Sequence, residues 1–235
     1  ATDNADTSAG ISYSLSGTDA DNYSVATTGS TTATITPRAL TVNYAGINRV
    51  YDGGTIATVT TSDDRVAGDV LSIVRSAAFG DKNVGAGKAV TVSGVSLSGT
   101  DAGNYSVAGG GATTAEITPR TLTVTYGGVN KVYDGLTGAT VTTSDDRVTG
   151  DDLAIARSAS FADKNAATGK TVSVSGVSLS GNDADNYTVA AVGTTMADIT
   201  ARALTPTFGA ISKIYDGSTV AQVTSTDDRL TNDQL

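Results

Sequence analysis

From Arg120 onward apolar and polar residues alternate. Leu122, Val124 and Tyr126 are separated by threonines, and an apolar residue at every second position predicts a strand with one buried face. Gly127-Gly128 is expected to end that strand. Val129 to Tyr133 predicts a second, closed by a turn at Asp134-Gly135, and Ala139 to Thr143 a third. Ser144 to Asp152 is polar and reads as a loop, because no sustained apolar stripe supports a helix there. Leu153, Ile155, Ala159 and Phe161 mark a fourth strand, and Asp163 to Gly169 a loop. Val172, Val174, Val177 and Leu179 mark a long fifth strand with a bulge near Gly176. After a corner at Gly181 to Asn186, Tyr187 to Ala190 and Thr194 to Thr200 complete the set. About seven short strands with frequent turn signals predict an all-β fold, an Ig-like or Greek-key sandwich. A β-grasp sheet with one short helix is the alternative. Asp183 to Tyr187 has the spacing of a tyrosine corner, in which the Tyr187 hydroxyl would bond backbone a few residues upstream; Tyr105 takes the same place one unit earlier.

The pattern repeats every 82 residues. Tyr51-Asp52-Gly53 returns as Tyr133-Asp134-Gly135 and Tyr215-Asp216-Gly217, and Asp63-Asp64-Arg65 as Asp145-Asp146-Arg147 and Asp227-Asp228-Arg229. Residues 38–119 and 120–201 are identical at 55 of 82 positions without a gap. That period exceeds a solenoid rung and suits a small domain with its own core. The expected organisation is the C-terminal part of a repeat at 1–37, complete repeats at 38–119 and 120–201, and the N-terminal part of a further repeat at 202–235. With units cut at both ends, no initiator Met and no signal peptide, the chain is expected to be an interior piece of something longer. The units meet almost without linker. Pro37 and Pro119 fix φ and push their predecessors toward extended backbone, which predicts stiff junctions; Ala201 replaces proline at the third.

Composition supports the all-β reading. Thr, Ser, Gly, Ala, Val and Asp dominate, the branched residues favouring pleated surfaces, and Met196 is the single methionine. The absence of Cys and His excludes disulfides, thiol chemistry and the usual zinc ligands. A net charge of −9 without a basic patch argues against nucleic acid as a partner, and no apolar run is long enough to insert in a membrane as a helix.

Candidate chemistry is sparse. The Tyr-Asp-Gly triplets read as a core tyrosine followed by a turn, with Asp capping backbone N–H groups and Gly at positive φ. Asp19, Asp21 and Asn22, like Asp183, Asp185 and Asn186, are spaced to offer oxygens to calcium. The middle copy has one carboxylate fewer, so a corner turn is the preferred reading and no cofactor is expected. Asp145 and Asp146, with Asp151 nearby, are adjacent on one loop rather than set across a pocket, and read as a turn with an Arg147 ion pair. Lys164 and Asn165 raise an isopeptide crosslink, but sequence neighbours pair poorly in that way. No catalytic residues are assigned.

The motif set resembles the YDG-type repeat of large bacterial surface proteins. The matching segments are Arg-Ala-Leu-Thr-Val at 38–42, Asn-Lys-Val-Tyr-Asp-Gly at 130–135, Phe-Ala-Asp-Lys-Asn at 161–165, Val-Ser-Leu-Ser-Gly at 177–181 and Asp-Ala-Asp-Asn-Tyr at 183–187. Such repeats occur in filamentous-haemagglutinin-like adhesins exported by two-partner secretion. The resemblance implies a non-enzymatic, extracellular location at the bacterial cell surface, associated with the outer membrane, in adhesion or biofilm proteins. The function expected is a stalk or fibre segment whose partners are neighbouring repeats, with self-association into fibres open. The alternative is a repetitive array binding glycans or host or matrix proteins. Differences between the repeats, such as Gly109-Gly110 against Ala191-Val192, look like solvated loop drift, which favours the stalk.

Overall fold

A computed structural model describes residues 14–24, 34–231 and 233–234. The chain divides into two compact units, Ala1–Arg120 and Thr121–Leu235. The first complete repeat holds strands β1 (Arg38–Leu40), β2 (Val42–Ile47), β3 (Arg49–Val50), β4 (Thr58–Asp63), β5 (Ser72–Phe79), β6 (Gly85–Ser98), β7 (Tyr105–Val107) and β8 (Gly110–Thr118). The second holds β9 (Arg120–Leu122), β10 (Val124–Val129), β11 (Lys131–Val132), β12 (Thr140–Asp145), β13 (Ala154–Phe161), β14 (Ala167–Ser180), β15 (Tyr187–Val189) and β16 (Gly193–Thr200). β17 (Thr207–Ile211) and β18 (Gln222–Thr226) follow. The all-β tandem organisation is as read from the sequence. The described helical segments are three-residue 3-10 turns at Ala20–Asn22, Ala102–Asn104 and Ala184–Asn186. The Ser144 to Asp152 loop carries none, so the helix of the β-grasp alternative does not form there.

Each repeat is built around a four-stranded mixed sheet, in the order β3-β8-β6-β5 and again β11-β16-β14-β13. The central pairs are antiparallel, whereas β3 with β8 and β11 with β16 are parallel. A second, antiparallel pair (β2-β4 or β10-β12) belongs to each repeat, and a short two-stranded ribbon (β1-β7 or β9-β15) ties its start to its corner. In the second unit Val141, Phe161, Val172, Val174, Val177, Ala197 and Ile199 form the buried cluster. Burying each such Val or Ile side chain contributes about 1.5–3 kcal/mol. In the first unit, Leu40, Leu71 and Tyr105 form a smaller buried cluster beneath the corner.

Two glycine-bearing segments explain the strand geometry. Val172 and Val174 point inward on even positions, yet Val177 and the half-buried Leu179 do so on odd ones. An extra residue in β14 makes this possible: Ala156 pairs with Ser178 and Ser158 with Ser175, and Gly176 takes φ +62°. The bulge flips the parity of the strand and keeps both halves facing the core. Gly127-Gly128, expected to end a strand, instead lies within β10. A Cβ on Gly128 would meet the Met196 carbonyl oxygen at 2.1 Å, so this glycine lets β10 pack directly on β16.

The 34 residues from Arg202 correspond to the opening part of a repeat. β17 and β18 pair as β10 and β12 do, but Phe208, Ile214 and Tyr215 are exposed.

Candidate functional site

The Tyr-Asp-Gly turn is built alike in all three copies. Asp134 Oδ1 accepts the Leu136 N–H at 2.9 Å and a Lys131 Nζ bond at 2.8 Å. Asp52 accepts the Gly54 N–H at 2.9 Å and Arg49 at 2.8 Å, and Asp216 the Ser218 N–H at 2.9 Å and Lys213 at 2.8 Å. The lysine beside Asp134 and the one beside Asp216 hold those carboxyls below the usual aspartate range. Gly53, Gly135 and Gly217 sit at φ +79°, +78° and +75°. Asp and Gly thus serve the turn as read from the sequence.

The tyrosines differ. Tyr51 is 1% exposed and Tyr215 92%. Tyr133 is half-buried against the core cluster, and its hydroxyl donates to Asp233 Oδ1 at 2.8 Å. Lys164 Nζ reaches the same oxygen at 3.1 Å and stands 5.7 Å from the centre of the Tyr133 ring. The Tyr133 hydroxyl and then Lys164 hold the Asp233 carboxyl low, while Tyr133 and Asp233 raise the Lys164 ammonium. Lys164 is thus engaged as an ion-pair partner of Asp233. Its neighbour Asp163 binds Lys170 instead. These groups line a cleft of about 570 Å³ together with Arg202, Arg229 and Leu230.

A second constellation closes each complete repeat. The Tyr187 hydroxyl donates to Asp151 Oδ2 at 2.6 Å and accepts the Val148 N–H at 2.9 Å. Tyr105 does the same with Asp69 and Val66. The tyrosine corner was expected to bond a few residues upstream; the partners lie 36 to 39 residues upstream, in the polar loop before β13. The corner folds onto that loop because Asp183 is bound to it twice. Its N–H donates to the Asp152 carbonyl at 3.2 Å, and its Oδ2 accepts the Asp152 N–H at 3.0 Å.

This places the calcium candidates. Asp183 braces backbone, Asn186 is buried beside it with Nδ2 3.5 Å from Asp183 Oδ1, and Asp185 is exposed. Asp19, Asp21 and Asn22 lie at the equivalent 3-10 turn. Among the described residues no group of three or more acidic, His or Cys side chains is arranged to hold a metal ion. The carboxylates of the Asp-Asp-Arg loop are divided among separate tasks. Asp145 forms a two-point pair with Arg147 at 2.7 Å, Asp146 Oδ1 accepts the Thr123 N–H at 2.8 Å, and Asp151 takes the corner tyrosine. Arg147 holds the Asp145 carboxyl low, and its Nη1 donates to the Leu153 carbonyl at 2.6 Å, fixing the loop's exit.

Sequence reasoning passed over Asp69 and Asp233, and read Asp151 only as a further carboxylate of the Asp-Asp-Arg loop. Their spacing of 82 was visible, but each sits in a loop already rich in carboxylates. The family model of the YDG domain matches residues 36–115 and again residues 118–196. Neither a curated protein nor a solved structure matches the chain.

Proposed function

The chain belongs to the YDG domain family, carrying two consecutive copies of the domain, and on that premise we propose that it is a structural spacer: a stalk or fibre segment of a secreted bacterial cell-surface adhesin. The observation that carries the proposal is the bond from Tyr133, in one repeat, to Asp233, in the repeat that follows it in sequence. Tyr133 of the signature triplet gives its hydroxyl to the segment that follows its repeat. Near-identity between units supports the reading, since a spacer needs length and uniformity more than variety. The role is non-enzymatic, the setting is the outer surface of the cell in adhesion or biofilm formation, and the partners are neighbouring repeats. We propose no cofactor; a calcium role would require more ligands than Asp183, Asp185 and Asn186 bring together.

An array binding glycans or host proteins is the second reading. It is favoured by the cleft at Tyr133, Lys164, Arg202 and Arg229, which offers cations beside an aromatic ring. Small-angle scattering on chains with two, three and four complete repeats separates the two. The spacer requires a rod whose maximum dimension grows linearly by about 30–40 Å per repeat, from the size of a compact domain. A flexible or globular particle contradicts it.

A further inference from the structure

We propose that Tyr133 is the docking residue of its repeat, and that its partner is Asp233, which follows the Asp-Asp-Arg triplet of the segment after it in sequence. The inference rests on the spacer reading for its biological meaning, but its geometry stands alone. Tyr133 supplies the directional bond to Asp233 and Lys164 the opposite charge on the same oxygen. The motif's glycine supplies room: a Cβ on Gly135 would come within 3.2 Å of Leu230 Cδ1. Asp134 faces its own turn and keeps the other two in place. The triplet is thus divided, with Tyr and Gly turned toward the following repeat and Asp toward its own.

The equivalent aspartates of the complete repeats accept a different tyrosine. Asp69 and Asp151 receive the corner tyrosine on Oδ2, whereas Asp233 receives Tyr133 on Oδ1. A carboxylate has acceptor capacity for both at once. All parts recur with the period of 82: Tyr51, Tyr133 and Tyr215; Lys82 and Lys164; Asp69, Asp151 and Asp233.

Amide hydrogen exchange on the whole chain tests this, with Tyr133→Phe, Asp233→Ala and the double variant compared. Each single change should speed exchange in β17, β18 and residues 227–231 about fivefold to tenfold, the effect of one lost charge-assisted bond. The double variant should exchange no faster than the faster single one, because both remove the same contact. β13, β14 and β16 should keep their protection. Asp233 lies outside the 121–200 core, so Asp233→Ala decides the matter if Tyr133→Phe loosens that core. Unchanged exchange in Asp233→Ala, or effects that multiply in the double variant, overturns the docking assignment. A rod that still lengthens with repeat number alongside unchanged exchange leaves the spacer standing without this joint. Coupled exchange in a chain that scatters as a globule keeps the joint and removes the spacer.

Discussion

Asp151 and Asp233 are the same position of the repeat in two situations. Asp151 is 9% exposed and ties down Tyr187, the corner tyrosine of its own repeat. Asp233 is half-buried and ties down Tyr133, from the repeat before it. The difference comes from what surrounds each. Asp151 has β15 and its corner folded over it, and beside Asp233 stand Tyr133 and Lys164. The same carboxylate chemistry accepts a tyrosine hydroxyl from its own repeat at Asp151 and from the preceding one at Asp233.

The comparison can be broken most forcefully at Asp151. Asp151→Ala leaves the Tyr187 hydroxyl without its acceptor inside a buried corner, and should lower the unfolding free energy by about 2–3 kcal/mol, measured by urea denaturation. A loss no larger than that of Asp233→Ala would erase the distinction. Tyr187→Phe keeps the ring's packing but removes both hydroxyl bonds, and should cost about 1–2 kcal/mol in the same assay. Asp233→Ala should leave the midpoint of the main transition within about 0.5 kcal/mol of the parent, since it touches no group in the core cluster, while releasing the β17–β18 segment. Salt gives the smallest effect. The Lys164 and Asp233 side chains are 44% and 20% exposed, so about 1 M NaCl should screen their attraction. It should speed exchange in β17 and β18 only about twofold to threefold, with the Tyr133 bond holding the remainder.

Much of this was legible beforehand, for a specific reason. Period-two alternation is a local property, and Leu153 to Phe161 and Val172 to Leu179 carried their strands openly, whereas Leu122 to Tyr126, read as one strand, divides at Thr123 between β9 and β10, which pair with different partners. The Gly176 bulge and the Asp134-Gly135 turn were equally local, each set by one residue that tolerates left-handed backbone. What stayed hidden depends on topology. Nothing in Lys131-Val132 announces a parallel pairing with Ile199-Thr200. Nothing near Tyr187 announces partners 36 to 39 residues away. Gly128 read as a strand end because its packing against Met196 comes from a distant strand. Tyr133 read as core because an apolar position in an alternating run does not disclose where its hydroxyl points. Its partner belongs to another repeat, so no pattern within one repeat could name it.

The central claim is that Tyr133 and Asp233 meet, and the carboxyl itself reports on this. Asp233 is held below its ordinary value of 3.8 by the Tyr133 hydroxyl first and by Lys164 second, with Arg229 adding a smaller attraction and Arg202 lining the same cleft. A carboxyl depressed in the docked state stabilises docking fully above its undocked pKa, and that contribution is lost as pH falls through the lower docked value. Carbon-13 titration of Asp233 in the parent chain and in Tyr133→Phe is the most direct measurement. The account predicts a midpoint below 3.8 in the parent and a rise toward the ordinary value in the variant; an ordinary midpoint in the parent, or one that Tyr133→Phe does not move, contradicts it.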